Sequence, residues 1–173
     1  YVGMALQYQR INSTANDYIL KQISLDTVIR EVIHKYAKIM IRRKIRMHYE
    51  KTEATVISDE KWLSFVLEQL LSNAVKYTPE GEISIEVQEE PQHIWLEIRD
   101  TGIGIRSEDI PRVFEKGYTG FNGHEDKRST GIGLYLCREV LQKLGHTIQV
   151  QSEVGEGTTV RAGFSKDAID FRD

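Results

Sequence analysis

The chain has 173 residues, 40% of them hydrophobic and 28% charged, and a formal net charge of −3 at pH 7. That length suits one domain with an appendage, and the balance is that of a folded chain rather than a disordered one. The charge supplies no global positive field for nucleic acid, no apolar run approaches the roughly 18 residues of a bilayer span, and the single cysteine, Cys137, excludes an internal disulfide or a multi-cysteine metal site.

In chain order, Met4, Tyr8, Ile11, Ala15 and Tyr18 repeat at spacings of four, three, four and three. This is a heptad seam, shared by a helix packed lengthwise on partner helices and by an ordinary amphipathic helix. Residues 19–25 read as a strand, and Asp26 is the expected N-cap of a helix through Val28, Ile29, Val32, Ile33, Tyr36 and Ala37. Arg42-Arg43-Lys44 ends that helix, where cations suit the macrodipole; no aromatics are interleaved, so nucleic acid is not expected as a partner. Residues 44–50 alternate as a strand, Val56-Ile57 is another, and Asp59 caps a helix with Leu63, Val66, Leu67, Leu70, Leu71 and Ala74 on one face. Thr78-Pro79-Glu80-Gly81 is a turn, and Ile83, Ile85, Val87 followed by Ile94, Leu96, Ile98 predict a hairpin. A short helix near residues 107–114, a helix over 133–144, and strands over 148–152 and 158–164 complete the pattern, with Cys137 expected to be buried packing. The expected fold is a two-layer α/β sandwich, a mixed and largely antiparallel sheet on about three helices, preceded by an N-terminal helix. Residues 1–18 are read as that helix and a linker, 19–165 as the domain and 166–173 as a tail.

Four elements follow one another: Glu68-Gln69-Leu70-Leu71-Ser72-Asn73-Ala74-Val75-Lys76-Tyr77-Thr78, Asp100-Thr101-Gly102-Ile103-Gly104-Ile105, Ser129-Thr130-Gly131-Ile132-Gly133-Leu134, and Gly155-Glu156-Gly157-Thr158. A single glycine pair would serve a plain turn, so the ordered set is what informs. Asn73 and Lys76 share a helix face; an amide oxygen suits Mg²⁺ and an ammonium suits phosphate. Asp100 follows a strand and precedes Gly102 and Gly104, so a carboxylate acceptor stands beside glycines that let backbone approach a ligand. Gly131 and Gly133 open a helix whose unpaired amides form a phosphate site.

Order and residue types resemble the ATP-binding fold shared by sensor histidine kinases, DNA gyrase B, Hsp90 and the MutL proteins, over about residues 19–165. Val113-Phe114-Glu115-Lys116-Gly117-Tyr118 resembles the phenylalanine-centred box of the kinases. The resemblance implies ATP and Mg²⁺ as cofactors, with Asn73 on the metal, Lys76 on phosphate, Tyr77 packed on the base, and Thr158 aiding Asp100 in base recognition, often through water. Asn73 and Lys76 would be the catalytic pair, and the box Ser129, Thr130, Gly131, Ile132, Gly133, Leu134 would hold phosphates under a mobile lid over residues 115–130. Many such kinases carry arginine where this chain has Thr119, and Lys116, Lys127 or Arg128 would supply that charge. In detail, residues 113–123 and 129–136 resemble the intramembrane-sensing kinases linked to peptide-antibiotic resistance, which implies a cytoplasmic domain of a membrane-anchored sensor.

Relatives that hydrolyse ATP place a glutamate four residues before the metal-binding asparagine as general base, and Gln69 there cannot accept a proton. Glu68 would point about 100° away around the helix. Phosphoryl transfer to an external histidine is therefore the expected chemistry; a hydrolytic ATPase and a non-catalytic nucleotide binder are the alternatives. Of the five histidines, only His124, in His124-Glu125-Asp126-Lys127-Arg128-Ser129, has an acidic neighbour, and it lacks the proline of the acceptor motif. The acceptor is thus expected upstream of Tyr1, on a dimerisation domain of the same protein, with a response regulator as the next partner. A homodimer is expected for the full-length protein, and a monomer or weak dimer for this piece.

Overall fold

The computed structural model describes residues 18–115 and 133–166. Among these lie strands β1 (Leu20–Ser24), β2 (Ile45–Tyr49), β3 (Thr55–Asp59), β4 (Gly81–Glu89), β5 (His93–Asp100), β6 (Thr147–Glu153) and β7 (Gly157–Ser165). The helices are α1 (Leu25–Arg42), α2 (Glu60–Lys76) and α3 (Gly133–Lys143). The main sheet runs β2-β4-β5-β7-β6, parallel only at β2–β4, while β1 and β3 form a separate antiparallel pair. Three helices on a mixed, mostly antiparallel sheet make the expected sandwich; the small second sheet was not expected. No helix of the described residues is long and apolar enough to cross a membrane.

The core forms where the two periodicities meet. Val28, Ile29 and Val32 of α1, Leu63, Val66, Leu67, Leu70 and Leu71 of α2, and Leu136, Val140 and Leu141 of α3 are buried on one helical stripe each. They cover Ile83 and Ile85 of β4, Leu96 and Ile98 of β5, and Val160 and Ala162 of β7. Cys137 lies in this layer, fully buried, as packing rather than chemistry.

Asp59 caps α2 as expected: one carboxylate oxygen accepts from the Trp62 amide at 3.0 Å, and the other accepts from the Ile19 amide at 2.8 Å. The cap of α1 differs from expectation. Ser24, the last residue of β1, accepts from the Thr27 amide at 3.4 Å, and Asp26 sits inside the first turn. The Asp26 carboxylate instead accepts from the Tyr49 hydroxyl and the Arg30 guanidinium, tying the start of α1 to β2. The short helix expected near residues 107–114 is a three-residue 3-10 turn, Ile110–Arg112, with Pro111 at its start. The helical seam Met4, Tyr8, Ile11 and Ala15 lies outside the described residues; Tyr18, its last member, packs edge-on against Trp62 at 6.3 Å between centroids.

His146, between α3 and β6, is 5% exposed and meets Phe164 edge-on at 4.9 Å. Burial pushes its imidazole down to about 4, with the Ile57 backbone pulling the other way. The unfolded chain therefore takes up a proton that the folded chain refuses. Stability is complete above about pH 6.5 and is lost as pH falls towards about 4, by about 3 kcal/mol across that window. Urea unfolding at pH 7 and pH 5 is expected to show this slope, and His146→Phe is expected to flatten it; an equal slope in the variant would assign the acid sensitivity elsewhere.

Candidate nucleotide-binding site

The last turn of α2 carries Asn73 and Lys76, and Tyr77 is its C-cap. The helix stops there with its carbonyls engaged: Asn73 accepts from the Tyr77 amide at 3.1 Å, and Val75 accepts from the Thr78 amide at 3.3 Å and from the Arg43 guanidinium at 2.9 Å. Arg43 thus fastens the end of α1 to the end of α2. The Lys76 ammonium stands 5.3 Å from the Tyr77 ring centroid, and the negative end of the helix favours the cation.

Gln69 lies one turn before Asn73 on the same face. A Cβ on Gly133 would come within 3.2 Å of its Oε1, so the N-terminus of α3 abuts the Asn73 face of α2. Glu68 is turned the other way. Its carboxylate is 2.8 Å from the Lys35 ammonium, in an open groove that α1 and α2 share with Arg30, His34 and Ser64. Leu134, next in α3, packs against the core.

Asp100 ends β5 as a buried carboxylate, 6% exposed. Its Oδ1 accepts from the amides of Gly102 at 2.9 Å and Thr158 at 3.2 Å. Burial pushes the carboxyl above its usual range, while the two amides and the Thr78 side chain pull it back. In the loop after Asp100, Ile103 is bound on both sides: its amide donates to the Tyr77 carbonyl at 3.1 Å, and its carbonyl accepts from the Gly155 amide at 2.9 Å. One contiguous site therefore joins the end of α2, the start of α3, the Asp100 loop and the β6–β7 turn.

The glycines of that loop pack tightly on the chain itself. A Cβ on Gly102 would fall 2.0 Å from the Tyr77 carbonyl oxygen, and one on Gly104 would fall 2.2 Å from that of Glu153. Close packing of the chain on itself is what forbids a side chain at either position. Ser152, passed over in the sequence, is central: its hydroxyl meets the Ile105 amide, the Gly157 carbonyl and the Thr158 hydroxyl. Its signal was a polar residue at the inward parity of Ile148 and Val150. Of the box before α3, Val113 is buried and Phe114 lies 5.3 Å beneath the Arg138 guanidinium. Lys116, Thr119, Lys127, Arg128, Ser129, Thr130, Gly131 and Ile132, and His124 with the other residues of 116–132, lie outside the described residues.

The family of histidine kinase-, DNA gyrase B- and HSP90-like ATPases matches residues 58–168, which contain this entire site. The chain belongs to that family. Within the histidine kinase-, gyrase B- and HSP90-like ATPases it is similar to sensor histidine kinase YxdK of Bacillus subtilis, 36% identical over 165 residues, covering 92% of this chain and 50% of YxdK. Sensor protein BceS of the same organism is 37% identical, with 92% and 48% covered, and sensor protein kinase GraS of Staphylococcus aureus is 36% identical, with 92% and 46% covered. The chain spans about half the length of these curated relatives. Among solved structures, full-length ShkA in complex with AMPPNP has a TM-score of 0.79 at 20% identity, covering 92% of this chain and 34% of ShkA. Histidine kinase AdeS of Acinetobacter baumannii has a TM-score of 0.78 at 20% identity, covering 96% and 77%. These two share the fold.

Proposed function

We propose that the chain is the Mg-ATP-binding catalytic domain of a two-component sensor histidine kinase, which passes the γ-phosphoryl group to a histidine on a dimerisation domain of the same protein, for relay to a response regulator. The observation that carries this reading is the division of α2. Gln69, one turn before Asn73, turns a neutral amide to the start of α3, while the adjacent carboxylate, Glu68, is held by Lys35 on another face. A water-activating base is missing where the hydrolytic members of the family need one, so an external acceptor suits the site better. The relatives' names, two sensor kinases and a sensor protein, support the same choice. A homodimer anchored in a membrane, with this domain in the cytoplasm, is the arrangement that goes with it.

The residues fit the nucleotide in three parts. Asp100 with Thr158 would read the adenine amino group, and Tyr77 would pack on the base. Lys76 and the amides of the Ser129–Leu134 box would hold phosphate, with Lys116 or Arg128 adding charge from the lid. Asn73 would hold the metal: no group of three or more His, Cys, Asp or Glu among the described residues is placed as a metal cage. An amide oxygen is a hard donor that would suit a Mg²⁺ ion keeping several of its own waters and taking phosphates as further ligands. Bound there, the metal would supply positive charge against the phosphates.

Calorimetry with a non-hydrolysable ATP analogue tests the reading. Mg²⁺ is expected to raise the affinity of the wild type by about tenfold or more, and Asn73→Ala is expected to abolish that increment. An undiminished Mg²⁺ effect in the variant would remove Asn73 from the metal. Transfer of labelled phosphate to a supplied helical-hairpin domain, with little release to water, separates the kinase from the hydrolase and from a passive binder.

A further inference from the structure

Ser152 of β6, Thr158 of β7 and Asp100 of β5 stand abreast across three neighbouring strands. Ser152 is the ladder partner of Thr158, and Thr158 is the ladder partner of Asp100, so the three side chains leave the same face of the sheet. The Ser152 hydroxyl has one proton and two lone pairs, and it has three partners. The Ile105 amide, at 2.7 Å, can only donate to it. The Gly157 carbonyl, at 3.0 Å, can only accept from it. Ser152 thereby spends its proton on Gly157 and one lone pair on Ile105. The third contact, at 2.7 Å to Thr158 Oγ1, is then satisfied only if Thr158 is the donor.

We propose that Ser152 is a positioning residue that fixes the polarity of base recognition: by capturing the Thr158 hydroxyl proton, it leaves Thr158 Oγ1 as an acceptor towards the bound base. This inference rests on the adenine-nucleotide reading above and sharpens it. On the Asp100 side, both backbone amides converge on Oδ1, and the second oxygen takes neither. The pocket then shows two acceptors side by side, a carboxylate oxygen and a hydroxyl oxygen with its proton turned away. A 6-amino purine offers two N–H donors on one nitrogen, which suits this pair directly or through a bridging water. A 6-oxo purine offers an acceptor, which suits neither. Without Ser152 the Thr158 hydroxyl rotates freely and can donate to a 6-oxo group, so the second half of the discrimination is lost.

The test is the ratio of affinities for ATP and inosine triphosphate, which differ at the 6-position and N1, measured on the whole 173-residue chain with magnesium. Wild type is expected to favour ATP. Ser152→Ala is expected to narrow the ratio by about fivefold or more, while Ser152→Thr, which keeps the hydroxyl, retains it. On a Thr158→Val background, Ser152→Ala should leave the ratio where it is, because the hydroxyl whose proton it directs is gone. A purely structural role would weaken both nucleotides equally, and an unmoved ratio in Ser152→Ala overturns the proposal. So does a narrowing that persists on the Thr158→Val background. A wild-type chain that binds neither triphosphate sinks the adenine-nucleotide reading itself, and is told apart by that result alone.

Discussion

Replacing Gly157 by alanine is expected to lower the stability of the fold by about 3–5 kcal/mol and to abolish nucleotide binding with it. Two penalties add at this position. Gly157 has a φ of 128°, a region that L side chains rarely adopt, and about 1–3 kcal/mol of backbone strain follows. An added Cβ would also stand 2.0 Å from the Asp100 carbonyl oxygen and 3.0 Å from the Thr101 Cα, so backbone rather than a yielding side chain must move. That displacement pushes β5 away from the β6–β7 turn at Asp100, the carboxylate proposed to read the base. Gly155, two residues earlier, is the internal control. Its φ is 84°, but nothing lies within 4 Å of where its Cβ would be. Gly155→Ala is expected to cost only about 1 kcal/mol. Urea unfolding of the two variants compares them directly, and equal costs would mean that the turn does not pack on Asp100 as described.

Asp100→Asn is expected to leave the empty protein about as stable as wild type while weakening ATP by about 10- to 100-fold, or about 1.5–3 kcal/mol. The fold survives because Oδ1 alone takes the Gly102 and Thr158 amides, and a carboxamide oxygen has the same two lone pairs. What changes is the other atom: an NH₂ replaces a carboxylate oxygen and confronts the adenine amino group donor to donor. A 6-oxo purine should lose far less, so the preference between ATP and inosine triphosphate collapses or reverses. Relief of burying a charge adds a small stabilising contribution, since burial already pushes this carboxyl upwards. Melting temperatures without nucleotide and affinities with each triphosphate measure both halves. An unchanged preference for ATP would take Asp100 out of base recognition.

The elements themselves were readable because amphipathic periods of 3.6 and 2 survive in the sequence wherever one face is buried. Asp59 was assigned correctly as a cap because it directly precedes an apolar helical stripe. Asp26 was not, because two good capping residues stand two apart, and only the distant Tyr49 shows where the Asp26 carboxylate goes. The β1–β3 pair was hidden for a related reason: alternation announces a strand but not its neighbour. The order of the motifs singles out Asn73, Lys76, Tyr77, Asp100 and Thr158 as candidates, and the contacts among their segments bring the loop after Asp100 against Tyr77 and Thr158 against Asp100. The packing partners of the glycines were not readable, because a glycine in sequence tells that space is short but not what fills it; here Tyr77 and Glu153 fill it. Ser152 acquires meaning only from the ladder, which sets it beside Thr158.

That same ladder has an evolutionary corollary. Asp100 and Thr158 are paired through the two innermost strands of their half of the sheet, β5 and β7, and a slip of one residue would turn Thr158 to the opposite face. On the proposed reading, purine-sensing chemistry would therefore not be carried on an adjustable loop that drift could remodel without penalty. It would be cast into the scaffold, so descendants of this chain would exchange one nucleobase for another by rewriting hydroxyls and carboxylates in place, while the backbone beneath them stays as it is.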